Sequence, residues 1–447
     1  MSSAIAESSL DCLRCHVADE DGSMTVFGLF VCLWIAVVGA FALDVANLYA
    51  ARTHLQIAAD QAAHAAIYNR NTMDSHQSKI RAIEVVNETL PLARFGSVMQ
   101  AADIEFGTFD RESDSFVPDA NSLSAVRVRA SFLRSRENAV ESYLFRLIGF
   151  DVFDIRQQAI YTTYRPGCLR EGFIAEGVVD IQSNNGFTRG FCIHSNTYVS
   201  LNSNNFFEPG TIVSMPDLAA LDLPKSGFES NDGLEAALRT SRQNIRVLNR
   251  VETIIRSYEL PGIDVVTPDL ERTSDYLTSN IPVSLVAKDL SPLELLPGRI
   301  YHVDCIGPRL TVDASAVLRE VVLVSPCEIK FAAGSVLEDV VIISKSTAAD
   351  AINAPAGLQV GRNDNCAPGG GAQLITRGGM NFAADLQMYG GQLIALGNIE
   401  FAANANGIQG ASMISGGTIS GTSNMDMGFC GTGMEDNFEV DYYRLAY

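Results

Sequence analysis

The octet "LREVVLVS" at Leu318–Ser325 is echoed nineteen residues on by "LEDVVIIS" at residues 337–344. Short β-type runs of the same kind follow: "LQVG" from Leu358, "AQLIT" from Ala372, "LQMYG" from Leu386, "QLIALG" from Gln392, "IEFA" from Ile399 and "SMISGGTISG" from Ser412. Gly, Asn and Ala fill the gaps between them. Short strands with turn residues at a near-constant interval are the mark of stacked coils. The pattern predicts a mainly-β domain over residues 166–430, built as a right-handed parallel β-helix; a β-sandwich is the alternative. "GVVDIQSNNG" from Gly177, "CIHSNTYVSLNSNN" from Cys192 and "GTIVS" from Gly210 read as earlier coils. Between the two groups, Leu234, Leu238, Ile245, Leu248, Val251 and Ile255 recur at helical spacing. That predicts a helical insertion over about 217–296. Residues 431–447 are expected to be a C-terminal tail.

The chain upstream has another texture. Residues 24–43, "MTVFGLFVCLWIAVVGAFAL", carry no charge. As a helix they would be about 30 Å long, the thickness of a bilayer core. A buried core helix would show a polar face, and this run shows none. A signal peptide would need a basic flank, whereas residues 1–23 hold one Arg and five acids. The run therefore reads as a transmembrane helix, with residues 1–23 as a cytoplasmic tail. Past it, Val45, Leu48, Leu55, Ala59, Ala62 and Ala66 continue one apolar stripe that should face partner helices or a small sheet. A second helix is expected over about 77–90, stopping at Pro91. "IEFGTFDRESDSF" reads as strand text that turns through Arg111-Glu112-Ser113-Asp114 to Phe116, "AVRVRASF" and "VFDIRQQAIYTTY" read as strands, and "ENAVESYLFRLIGF" as a short helix. Residues 44–165 thus form a pilin-like helix-plus-sheet segment.

Gly22-Ser23 before the span, Asp44 at its end, and then "NLYAARTHLQIAADQAAHAA" strongly resemble the N-terminus of TadE/TadG-like proteins of the Flp pilus (tight adherence) machinery. Asp44, Tyr49, Leu55, Gln56, Asp60, Ala62 and Ala63 carry the match. The resemblance covers about residues 22–165. It implies a single-pass bacterial inner-membrane protein with its C-terminal bulk in the periplasm, and other pilus-assembly membrane proteins as partners of the helix. Type IV prepilins have Glu at the fifth position after the cleavage site; here the fifth residue after Gly22 is Phe27. An uncut anchor, as in G-type members, is therefore expected.

Cysteine positions agree with that topology. Cys168, Cys192, Cys305, Cys327, Cys366 and Cys430 all follow the span, as expected of disulfides in an oxidising compartment. Cys168 and Cys192 bracket the first proposed coil, and Cys305 and Cys327 bracket another. Cys366 and Cys430 are left over, and six cysteines allow fifteen connectivities. Cys12-Leu13-Arg14-Cys15-His16 has the form of a haem-attachment motif. It lies on the expected cytoplasmic side, in a segment too short to build a haem pocket, and lacks a fourth ligand for zinc. It reads as coincidence, and no cofactor is expected.

Other chemistry is thin. Asp304, Asp313, Glu320, Glu328, Glu338 and Asp339 form no ladder of carboxylates. Asn363-Asp364-Asn365 lacks the remainder of an EF-hand loop. Val317 breaks the metal motif that Asp313-Ala314-Ser315 begins, and no His pair has metal-ligand spacing. The net charge of −20 disfavours nucleic acid. The sequence points to a structural or assembly protein of the pilus apparatus rather than an enzyme. The alternative is a membrane-tethered β-helix lyase or hydrolase acting on carbohydrate.

Overall fold

A computed structural model describes residues 21–259, 275–421 and 424–446. Of the expected tail of residues 1–23, residues 1–20, with Cys12 and Cys15, lie outside them. The chain divides into two compact units, one of residues 1–163 and 443–447, the other of residues 164–442.

The first unit is organised by one helix, α1, Asp21–Arg70. No proline interrupts it. Its two halves have different surfaces. Over 24–43 the described side chains are almost all exposed, although they are apolar. The helix is thus long and apolar enough to cross a membrane. Beyond Asp44 it becomes amphipathic, and Ala51, Leu55, Ala58, Ala59, Ala62, Ala63, Ala66 and Ile67 are buried. Helix α2, Ser75–Thr89, folds back after a short turn. Its cap is Asp74, whose carboxylate accepts the Gln77 N–H at 2.8 Å.

The alanine face packs on a sheet of β1 Ile104–Asp110, β2 Ser115–Pro118, β3 Ala125–Phe132, β4 Ile155–Tyr164 and a last strand, Tyr442–Leu445, in the order β2–β1–β3–β4–last. Pairs β1–β2, β1–β3 and β3–β4 are antiparallel. Ile104, Phe106, Val126, Val128, Ala130 and Ala159 form the sheet side of this core. Gly107 is required for close approach: a Cβ there would lie 2.2 Å from the Val117 carbonyl oxygen. Two expectations change here. "ENAVESYLFRLIGF" is no continuous helix but a two-residue strand and a single 3-10 turn, Phe145–Ile148. The expected tail supplies the sheet's fifth strand.

The second unit is dominated by one large parallel sheet. The founding repeat pairs in register: Leu318 opposite Leu337, Val321 opposite Val340 and Ser325 opposite Ser344. The same column continues through Thr376, Ala395 and Ser415. It then passes to Ala175 and Ser195. The stacking order therefore departs from chain order. The chain enters mid-stack at Gly172–Ala175 and builds outward to Leu238–Thr240. It restarts at the far end with Val283–Ala287 and builds back until Ile399–Ser415 pairs with Gly172–Ala175.

The expected helical insertion at 217–296 is corrected by this topology. Its one long described helix is α3, Val251–Glu259. Asn231–Asp232, Leu238–Thr240, Val283–Ala287 and Asp289–Leu290 within the same range are strands of the sheet. The apolar spacing has another cause. Ile254, Ile255 and Tyr258 are buried with Ile300, Val322, Val341, Ile343, Ile375 and Ile394 on the outer side of the strands. Val321, Leu323, Val340 and Ile342 point to the other core. Both faces are covered, so these strands read as unbroken apolar runs instead of alternating ones.

Candidate functional site

The residues carrying the family resemblance all lie on α1, and the fold gives them distinct tasks. Asp44 is buried, and its carboxylate accepts the N–H groups of Tyr143 at 2.6 Å, Leu144 at 2.7 Å and Phe145 at 2.8 Å. Desolvation works to raise its pKa; those three hydrogen bonds and the nearby Arg146 outweigh it and hold the carboxyl below its ordinary value. One side chain at the end of the uncharged run thus fixes a loop about a hundred residues away in the chain. Gln56 donates to Asp60 at 2.8 Å and to the Gln158 carbonyl of β4 at 3.3 Å, tying helix to sheet. Leu55, Ala62 and Ala63 are core. Tyr49 is exposed and lines, with Val45, Leu48, Arg52, Phe145 and Ile148, an apolar groove of about 480 Å³.

In the second unit the six downstream cysteines form three bonds. Cys168–Cys192, Cys305–Cys327 and Cys366–Cys430 have Cα separations of 5.0, 6.4 and 5.7 Å, within the usual range for a disulfide. Among the described residues Cys32 alone is a free cysteine. Glu171, which sequence reasoning missed, is fully buried and accepts the N–H groups of Cys430 at 2.6 Å and Gly431 at 2.5 Å. Burial raises its pKa, and the two amides and Arg170 offset this only in part.

A buried asparagine ladder was also missed, although the sequence carries its signal in the repeated "SNN" of residues 183–185 and 203–205. Asn185 Nδ2 donates to Asn205 Oδ1 at 2.9 Å, and Asn205 Nδ2 donates to Asn231 Oδ1 at 3.1 Å. The Asn185 and Asn205 backbone N–H groups also donate into the ladder. The preceding Asn184 and Asn204 adopt φ of 62°, the left-handed conformation that asparagine tolerates. Asn205→Ala should strand the Asn185 backbone and side-chain donors and take from Asn231 Oδ1 one of its two donors, the backbone N–H of residue 205 remaining. A loss of about 2–3 kcal/mol is expected, read as a lower denaturant midpoint.

Two of the six carboxylates considered for catalysis serve as partners across rows: Glu328 with Arg309 at 2.9 Å and Glu338 with Arg319 at 2.5 Å. No group of three metal-ligating side chains occurs among the described residues. One cleft of about 240 Å³ does hold two carboxylates, Asp180 and Asp222, on either side of Ser200. Ser200 donates to Asp222 at 3.0 Å. Burial, then Asp222, raises the Asp180 pKa against hydrogen bonds from Ser200 and Gln182.

Residues 172–431, more than half of the chain, match the model of a domain of unknown function, DUF7867. The chain belongs to the DUF7867 family. Residues 22–69 match a second model, Tad, of TadE/G-like Flp pilus-assembly proteins. No curated protein and no solved structure matches the chain. The Tad segment coincides with α1, so Asp44, Tyr49, Leu55, Gln56, Asp60, Ala62 and Ala63 all fall inside it. The DUF7867 domain starts at the mid-stack strand Gly172–Ala175 and ends one residue past Cys430. It includes both blocks of parallel strands.

Proposed function

We propose that this chain is an inner-membrane-anchored, periplasm-facing assembly component of a Flp/Tad pilus apparatus, of the G type. In this reading residues 24–43 remain as an uncut transmembrane anchor, the N-terminal flank is cytoplasmic, and both folded units lie in the periplasm. The observation that carries it is the coincidence, on α1, of the Tad match with an apolar surface left bare over 24–43. Three disulfides support an extracytoplasmic second unit. We read the parallel sheet as a right-handed β-helix, on the strength of the in-register columns at intervals near twenty residues. Its role is to present the outer rows of successive coils to other assembly proteins, while α1 packs with related membrane helices.

The alternative, a tethered carbohydrate-active enzyme, draws on the Asp180–Ser200–Asp222 cleft. That cleft, at about 240 Å³, is smaller than the ~300 Å³ at which small-molecule sites begin. The assembly reading is therefore preferred. Its test is labelling of cells with a membrane-impermeant maleimide, with and without reductant, followed by affinity purification from membranes. The six downstream cysteines should label only after reduction and opening of the outer membrane. Cys12 and Cys15 should stay unlabelled in the intact inner membrane, and pilus-assembly proteins should co-purify. Labelling of Cys12 and Cys15 from outside would reverse the topology.

A further inference from the structure

The Asp44-bound loop has a composition that the fold of its own unit does not use. Residues 142–150, "SYLFRLIGF", contain one charge, Arg146, and no carboxylate. Tyr143, Leu147, Ile148 and Phe150 are 62%, 76%, 60% and 54% exposed. Four large apolar side chains left bare in one short loop call for a covering. Their position along α1 indicates what covers them. Asp44 is the first charged residue after the uncharged run, and its three hydrogen bonds hold the loop at that level of the helix. Phe145 reaches one turn further, with its ring centroid 5.1 Å from that of Phe41 inside the run. The groove beside it is lined by Val45, Leu48, Ile148 and Phe153, and Arg52 stands on its rim.

We propose that residues 143–150 form a second membrane contact, lodged at the headgroup–acyl boundary of the phospholipid leaflet that α1 leaves at Asp44. The inference rests on the anchor reading above. If 24–43 fills the ~30 Å hydrocarbon core, the loop lies where aromatic belts sit in membrane proteins. Amphipathic interfacial elements bury their apolar side to a depth of about 5–10 Å, which the projecting Leu147 and Ile148 can span. Arg146 and Arg52 then meet lipid phosphates, to which cationic side chains near a membrane surface are drawn. Asp44 orients this contact. It turns three amides toward itself and so holds the loop against the helix, which fixes the rotation of α1 in the bilayer. A membrane helix alone leaves that rotation free.

The test uses the full chain reconstituted in phosphatidylethanolamine–phosphatidylglycerol vesicles. Trp34 is the sole tryptophan and lies mid-run, so Trp34→Phe provides a silent background. Leu147→Trp or, independently, Ile148→Trp is then introduced. In vesicles doped with lipid brominated near the headgroup, the new tryptophan should emit at shorter wavelength and lose most of its intensity. Val117→Trp is the reference. Val117 is exposed near Ala120, whose carbonyl accepts from Arg70, and Arg70 lies about 39 Å along the helix from Asp44; it should not be quenched. Native Trp34, probed with lipid brominated deep in the chain, tests the anchor separately. If Trp34 is unquenched, the anchor reading fails and the inference falls with it. If Trp34 is quenched but the loop tryptophans respond only to aqueous acrylamide, the anchor stands and the loop contact is overturned. Shielding of the loop from both quenchers would also overturn it, in favour of a protein contact.

Discussion

Replacing Ala59 and Ala62 together by leucine is expected to destabilise the first unit strongly while leaving the chain in the membrane. Both alanines are fully buried on the face of α1 that packs on the sheet and α2. Each substitution forces extra carbons into a close-packed core, at about 1–3 kcal/mol apiece. The two sites are three residues apart on one helix face and share neighbours, so their costs will not simply add. The sum is still a large part of the ~5–15 kcal/mol that stabilises an ordinary domain. Ala50→Leu, at an exposed position of the same helix, should change stability by less than about 0.5 kcal/mol. Pulse proteolysis in detergent, followed across denaturant concentrations, measures the difference, and membrane fractionation checks insertion. Pilus assembly should fall with stability. A double variant as resistant as the parent would mean that the alanine face does not set the helix–sheet distance.

The stripe was open to two readings, partner helices or the small sheet. The structure places Leu55, Ala59 and Ala62 in the core that α1 shares with the sheet and α2, while Val45 stays exposed. Alanine periodicity reports that something approaches closely and cannot report whether that neighbour is the same chain.

The same division runs through the rest of the molecule. What depends on local spacing was legible. The nineteen-residue echo placed Leu318 opposite Leu337 and Ser325 opposite Ser344, because a parallel stack turns sequence interval directly into register. The hairpin turn at 111–114 and the break at Pro91 were legible for the same reason. What depends on contacts between distant segments was hidden. Nothing near Ser415 announces Ala175 as its neighbour, so the mid-stack entry could not be read. Ile245, Val251 and Ile255 have helical spacing because one side of the segment is buried, and burial on one side satisfies that pattern without a helix throughout. Asp44 illustrates the limit at a single residue. The family pattern marked it, but its partners, three backbone amides of residues 143–145, have no sequence signature. Glu171 is hidden in the same way, since its partners are also backbone amides of a distant loop.

The three disulfides should differ in worth, and the pair that sequence position tied least to any coil should be worth most. If a bond acts chiefly by restricting the unfolded chain, its contribution grows with the logarithm of the loop it closes. Cys168–Cys192 and Cys305–Cys327 close separations of 24 and 22 residues, and Cys366–Cys430 closes 64. The expected losses on paired replacement by serine are about 3 kcal/mol for each of the first two and about 4 kcal/mol for the third. A structural reason widens the gap. Cys430 follows the strand Asp426–Gly428, which pairs with Gly186–Phe187 at the junction where the C-terminal coils meet the N-terminal ones. The junction is also held by parallel pairing, by Asn185 and Thr188, which accept the N–H groups of Met425 and Phe429, and by Glu171, whose buried carboxylate depends on the amides of Cys430 and Gly431 staying in place. Releasing Cys430 from Cys366 lets that segment leave, and a buried carboxylate without its donors is costly. Denaturant midpoints of the three paired-serine variants, measured without reductant, should therefore fall in the order Cys366–Cys430 lowest, the other two close together above it. Equal midpoints for all three would show that neither loop length nor the junction sets the contribution. A Cys366→Ser, Cys430→Ser variant as stable as the parent would show that strand pairing and the hydrogen bonds of Glu171, Asn185 and Thr188 close the stack without the disulfide.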